Sequence, residues 1–174
     1  MHEHEQVARF QQAVLPHLDA AYNLARWLTR NDHDAEDVVQ EAYLRAFRFF
    51  ASFHGGDGRA WLLTTVRHTC YTWLQKNRGH QPMQTFDEEV HGVAADTSSP
   101  EKLLILGEDI QLLRQALDEL AAEFREVIVL RELEGLSYKE IADIAGIPVG
   151  TVMSRLARAR ERLQQSLGQR LKET

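Results

Sequence analysis

Thr151, Ser154, Arg155, Arg158 and Arg162 recur at steps of three and four near the end of the chain. On a helix turning about 100° per residue, that spacing gathers two hydroxyls and three guanidinium groups on one side. Hydroxyls at the N-terminal end with arginines beyond suit a helix whose start enters a DNA major groove. Arg155 could pair with guanine in bidentate fashion, while Arg158 and Arg162 could pair with phosphates. Taken alone, a basic run reads better as a solvated face packed against neighbouring acids.

The elements that would hold these side chains change the balance. Val149, Val152, Leu156, Ala159 and Leu163 form the apolar stripe of the same helix. Before it, Ser137 followed by Glu140 is a capping box, which opens a helix with two mutually satisfied backbone groups. Ile141, Ala142, Ile144 and Ala145 give that helix its buried side, Gly146 ends it, and Ile147-Pro148 fill a short turn. Helix, glycine-containing turn and helix make the helix-turn-helix pattern.

The rest of the chain also reads as helices. HLDAAYNLARWLTR (17–30) places Leu18, Ala21, Tyr22, Ala25 and Leu28 at helical spacing, with Pro16 separating it from a short helix before it. In NDHDAEDVVQEAYLRAFRFFASF, Asp32 or Asp34 is the expected N-cap, and Val38, Tyr43, Phe47 and Phe50 the expected apolar side. The glycines of HGGDG (54–58) predict a loop, and residues 59–78 another helix, with Trp61, Leu62, Thr65, Val66, Thr69 and Trp73 inward. Residues 79–99 are acidic, contain Pro, Gly and Ser, and lack a sustained period, as a flexible linker would. A helix is expected from Ser99-Pro100-Glu101, with Leu103, Leu106, Ile110, Leu113, Leu117 and Leu120 on its apolar side; a further helix spans 121–135. The expected architecture is all-α: two small helical domains, 5–78 and 100–170, joined by the linker 79–99.

Charge and composition narrow the function classes. The 174 residues hold 26 Asp plus Glu against 20 Lys plus Arg, a net charge of −6, which argues against coating nucleic acid over the whole surface. Positive charge is local: residues 149–172 contain Arg155, Arg158, Arg160, Arg162, Arg170 and Lys172 against Glu161 alone. No run approaches membrane-spanning length and the amino terminus lacks an apolar signal core, so no membrane insertion and a cytoplasmic location are expected. The single cysteine, Cys70, excludes an internal disulfide; it reads as a small buried side chain, with a redox-sensing role as the alternative. His2-Glu3-His4-Glu5 reads as a polar terminus more readily than as a metal site; the other histidines show no HExxH or paired spacing, and no nucleophile–base set or phosphate-binding loop occurs. No metal, no cofactor and no enzymatic activity are expected.

Residues 34–48, DAEDVVQEAYLRAFR, and 60–78, AWLLTTVRHTCYTWLQKNR, flank the loop FHGGDG. Together they resemble region 2 of bacterial RNA polymerase sigma factors, and LRELEGLSYKEIADIAGIPVGTVMSRLARARERL resembles region 4. With two such regions and a short linker, the chain resembles the extracytoplasmic-function (ECF) subfamily over residues 10–78 and 108–166.

The resemblance implies that Asp34, Asp37, Val38, Gln40, Glu41 and Arg45 bind core RNA polymerase, with Val39 and Phe47 shared between core and contact. It assigns His54, Gly55, Gly56, Asp57, Arg59, Trp61, Arg67 and His68 to the promoter −10 element. A glycine-rich loop lets backbone donors approach an unstacked base, and nearby aromatic and cationic groups favour single-stranded DNA. At the −35 element it implies Ser137, Lys139, Gly150, Thr151, Ser154, Arg155, Arg158 and Arg162. Family members often carry an aromatic where Gly58 stands, and Asn and Asp where His68 and Thr72 stand. By helical spacing alone, Trp61 and Trp73 read as core residues.

The implied partners are core polymerase, promoter DNA and an anti-sigma factor, with Leu103 to Leu113 as one contact for the last. Two other classes fit the same helices. One is a stand-alone helix-turn-helix regulator; the other is an adaptor that sequesters an anti-sigma factor without supporting transcription.

Overall fold

The computed structural model describes residues 2–53, 55–77 and 110–173. His54, the linker 79–99 and the helix expected from Pro100 as far as residue 109 lie outside them. All regular structure among the described residues is helical.

The first domain starts with α1 (His2–Val14), whose Phe10 and Val14 are buried. A 3-10 turn over Leu15–His17 accommodates Pro16 and leads into α2 (Leu18–Thr29). There Ala21, Leu24, Ala25 and Leu28 are each fully buried; a buried leucine of this kind contributes about 1.5–3 kcal/mol.

Helix α3 (Asp32–Arg48) is capped by Asn31, not by either expected aspartate. Asn31 is extended, at φ −152° and ψ 133°, and its Oδ1 accepts the His33 and Asp34 N–H groups at 2.9 and 3.1 Å. Asp32 instead turns to Arg26, whose Nε donates to Asp32 Oδ1 at 2.7 Å. The buried stripe of α3 keeps Val38 of the expected apolar side, and Phe50 is buried in the turn that follows, but the stripe otherwise differs. It consists of Ala35, Val38, Ala42 and Ala46, small side chains that let α2 and α4 pack close. Phe47 stays 46% exposed and meets Phe10 edge-on at 5.2 Å.

Helix α4 (Gly58–Lys76) begins one residue earlier than expected because Asp57 caps it, accepting the Arg59 and Ala60 N–H groups. A Cβ at Gly58 would overlap the carbonyl oxygen of Ala13 in α1. The glycine is what lets α1 lie across the start of α4. Leu62, Leu63, Val66, Thr69 and Cys70 form the buried side; Trp61 and Trp73 are half-buried and pack against the core.

The second domain contains α5 (Ile110–Glu119), α6 (Ala122–Ile128), α7 (Tyr138–Ala145) and α8 (Val149–Glu173). The single helix expected over 121–135 is α6 followed by a π-helical turn over Val129–Leu133. The wider turn is closed by Glu134 N–H to Val129 O, and Gly135 then adopts φ 68°. In α7, Ser137 Oγ accepts the Glu140 N–H at 3.1 Å while the Glu140 carboxylate accepts the Ser137 N–H at 3.0 Å, the expected reciprocal cap. Gly146 ends the helix at φ 70°. Val152, Leu156, Ala159 and Leu163 of α8 are buried against α5, α6 and α7.

The two domains touch. Helices α2 and α4 of the first lie against α6 and α7 of the second.

Candidate nucleic-acid interface

On α8, Ser154 and Arg158 are exposed and Thr151 is half-buried beside them. Arg155 lies on the same side but has an acidic neighbour: its Nη2 is 3.7 Å from Glu123 Oε2, and its side chain is only 25% exposed. The Arg162 guanidinium lies 5.1 Å over the Phe124 ring. Ser154 Oγ donates to Gly150 O at 3.0 Å, and a Cβ at Gly150 would meet open space, so the start of the helix is accessible. Lys139 is exposed on α7. The oxygen of the Ser137 hydroxyl is engaged in the cap.

The candidate single-strand residues of the first domain divide into two groups. Gly55, Gly56 and Asp57 are exposed in the loop, and His68 is exposed on α4. Trp61 instead joins an aromatic cluster, 5.1 Å from Phe53 and 6.1 Å from Phe50 between ring centroids. The two arginines point at the second domain. Arg59 Nη2 donates to Glu140 Oε2 at 3.4 Å, and Arg67 Nε donates to Glu126 Oε1. The Arg67 guanidinium also lies 4.5 Å over the Tyr71 ring, and the Tyr71 hydroxyl donates to Glu126 Oε2 at 2.8 Å.

Glu126 is fully buried, and burial pushes its carboxyl up from the ordinary glutamate range against the pull of Arg67 and Tyr71. Next to it, Arg125 is 2% exposed and its burial lowers its pKa to about 10. It donates to Leu120 O at 2.6 Å within its own domain and to Leu28 O at 3.1 Å across the boundary. Arg30, in the left-handed region at φ 63°, reaches back to Asp118 O at 2.9 Å. Burial also pushes the Cys70 thiol up to about 12, which keeps it an un-ionised core side chain at neutral pH.

A third surface lies on α3 of the first domain. On α3, Asp37, Gln40 and Glu41 are exposed, Asp34 is half-buried, and Arg45 Nη2 donates to Glu41 Oε1 at 3.1 Å. Val38 is 1% exposed and spends its side chain on packing. Beside the polar groups, Leu18, Val39, Gln40, Tyr43 and Leu44 line an apolar groove, with Leu44 60% exposed. Leu18, Tyr43 and Leu44 were absent from the expected binding set. The signal for Leu44 was present: Gln40, Leu44 and Phe47 follow one another at helical steps on the solvent side of α3.

Two sequence families cover these surfaces. Sigma-70 region 2 matches residues 13–80, and sigma-70 region 4 matches residues 110–163. The ECF RNA polymerase sigma-E factor of Escherichia coli is 38% identical over 135 residues, covering 74% of this chain and 71% of that protein. The chain belongs to the ECF sigma factors. The ECF RNA polymerase sigma factor SigE of Mycolicibacterium smegmatis is 37% identical over 168 residues, 95% of this sigma factor, which spans 64% of that relative's length. Among solved structures, the sigma factor RpoE of Bartonella quintana, crystallised with the anti-sigma factor NepR, superposes with a TM-score of 0.70 at 35% identity. That match covers 92% of this sigma factor and 97% of RpoE.

Proposed function

We propose that this sigma factor directs promoter-specific transcription initiation by bacterial RNA polymerase in the cytoplasm, without catalysing a reaction itself. Residues 5–78 form the polymerase-binding and −10-reading domain, 79–99 the linker, and 100–170 the −35-reading domain. The α3 face, with Asp34, Asp37, Gln40, Glu41 and Arg45 around the Leu18–Leu44 groove, docks on core polymerase, and Val38 supports it from beneath. The 54–59 loop with Arg67 and His68 takes the unpaired −10 strand, and Trp61 shapes the loop through Phe50 and Phe53. The start of α8, through Thr151, Ser154, Arg155 and Arg158, enters the major groove at −35; Arg162, Lys139 and the backbone around Ser137 and Gly150 approach phosphates. An anti-sigma factor is the expected inhibitory partner, on the α3 groove and on the segment from Leu103 to Leu113.

The observation that carries this reading is the presence of two distinct surfaces in one acidic chain: an apolar groove rimmed by charge on α3, and a helix-turn-helix whose second helix leaves Ser154 and Arg158 exposed. A net charge of −6 is compatible with promoter recognition because the polymerase supplies most of the affinity and the two domains read short elements. Accordingly, the isolated protein binds promoter DNA weakly at physiological salt. Run-off transcription with purified core polymerase tests the assignment; nanomolar promoter binding without polymerase would instead favour a stand-alone regulator.

A further inference from the structure

Two of the arginines assigned to DNA are ones that the two domains use to hold one another. Arg59 is paired with Glu140 and Arg67 with the fully buried Glu126, whereas Arg155 is paired with Glu123 inside the second domain. Both side-chain hydrogen bonds to the Glu126 carboxylate come from the first domain: Arg67 reaches one oxygen and Tyr71 the other. Two carbonyl contacts, Arg125 to Leu28 O and Arg30 to Asp118 O, and the Asn23 amide on Glu134 Oε1 add to the contact, beside buried apolar side chains of both domains that belong to one core cluster.

A carboxylate held in bidentate fashion between a guanidinium and a phenol presents to Arg67 the same chemistry as a phosphate: two anionic acceptor oxygens in one plane. We propose that Glu126, assisted by Glu140, acts as an internal substitute for the DNA backbone, masking Arg67 and Arg59 while the domains are closed. DNA engagement at −10 then requires the domains to part, and the single-strand affinity of the free protein is lowered by the fraction of molecules that are closed. This inference rests on the −10 assignment of Arg59 and Arg67.

The test uses the full chain and a fluorescein-labelled, mixed-sequence single-stranded DNA. Anisotropy titrations at one salt concentration compare the wild type with Glu126→Gln, Glu140→Gln and Glu161→Gln. The amide keeps the volume of Glu126 and can still accept from Tyr71, but it releases the charge on Arg67. Glu161→Gln removes one charge from α8 and touches neither reader. The expected result is about tenfold tighter binding for Glu126→Gln and about threefold for Glu140→Gln, with no more than the general charge effect for Glu161→Gln. Small-angle scattering is expected to show a larger radius of gyration for Glu126→Gln than for the wild type. Equal gains in all three variants, or none in the first two, would overturn the masking role. If Glu126→Gln does not fold, Glu140→Gln against Glu161→Gln decides the matter, because Glu140 sits at the rim. Wild-type run-off transcription, measured in parallel, separates the outcomes: promoter-dependent starts with no gain in the variants leave the sigma assignment standing and remove only the mask.

Discussion

The Tyr71 hydroxyl donates to Glu126 Oε2 at 2.8 Å across the boundary between the two domains, 55 residues apart in sequence. Burial of the pair pushes the Tyr71 phenol well above its ordinary range, and Glu126 adds to the shift, so the phenol stays protonated and remains a donor. Arg67 completes the contact from the same helix. The free chain thus carries hydrogen-bonded polar contacts across the domain boundary, while the surface assigned to polymerase lies on α3, which contributes none of these hydrogen bonds.

That separation makes the α3 groove testable in isolation. Leu44 is 60% exposed, so Leu44→Asp should change folding stability by no more than about 0.5 kcal/mol. At the centre of the proposed dock it should weaken binding to core polymerase by about 10- to 100-fold, measured by fluorescence titration. Unchanged affinity would move the dock elsewhere.

The capping box gives a pH dependence with a definite sign. The Ser137 backbone N–H, then its side chain, hold the Glu140 carboxyl below its ordinary range, with Arg59 adding to the effect. Because the folded pKa is depressed, the Glu140 contribution is fully present above the unfolded value and is lost as pH falls through the folded one. The difference in urea midpoint between wild type and Glu140→Gln should therefore narrow on acidification. Ser137→Ala should cost about 1 kcal/mol at neutral pH.

Gly58 and Gly56 form an internal comparison. A Cβ at Gly58 would overlap the Ala13 carbonyl, whereas one at Gly56 meets nothing within 4 Å. Gly58→Ala should destabilise the first domain by about 1–3 kcal/mol, and Gly56→Ala by less than about 0.5 kcal/mol, in thermal or urea denaturation. Equal effects would mean that α1 does not pin the start of α4.

Local chemistry was legible in the sequence. The Ser137–Glu140 cap, the Gly146 stop and the Val152–Leu156–Ala159–Leu163 stripe are all set by residues within one or two turns of each other. The α3 cap was misplaced by a residue or more because Asn and Asp are near-equal caps, and Arg26, a residue of α2, draws Asp32 away. Of the expected α3 side, Val38 and Phe50 are buried, but close helix packing also buries Ala35, Ala42 and Ala46, whose small size gives little signal, and leaves Phe47 exposed. Burial of Arg125 and Glu126 was not readable at all. Both look like solvent residues until a second domain supplies the Leu28 carbonyl to one and Arg67 with Tyr71 to the other.

The central claim is that this chain recruits core polymerase to promoters and reads −35 with the start of α8. Its most direct test is run-off transcription with purified core polymerase on sheared genomic DNA from the source organism, with transcript starts mapped. The account predicts discrete starts sharing two upstream elements, which disappear in an Arg155→Ala, Arg158→Ala double variant that still binds core. Stable binding to core with no starts, or starts unaffected by the double variant, would contradict it.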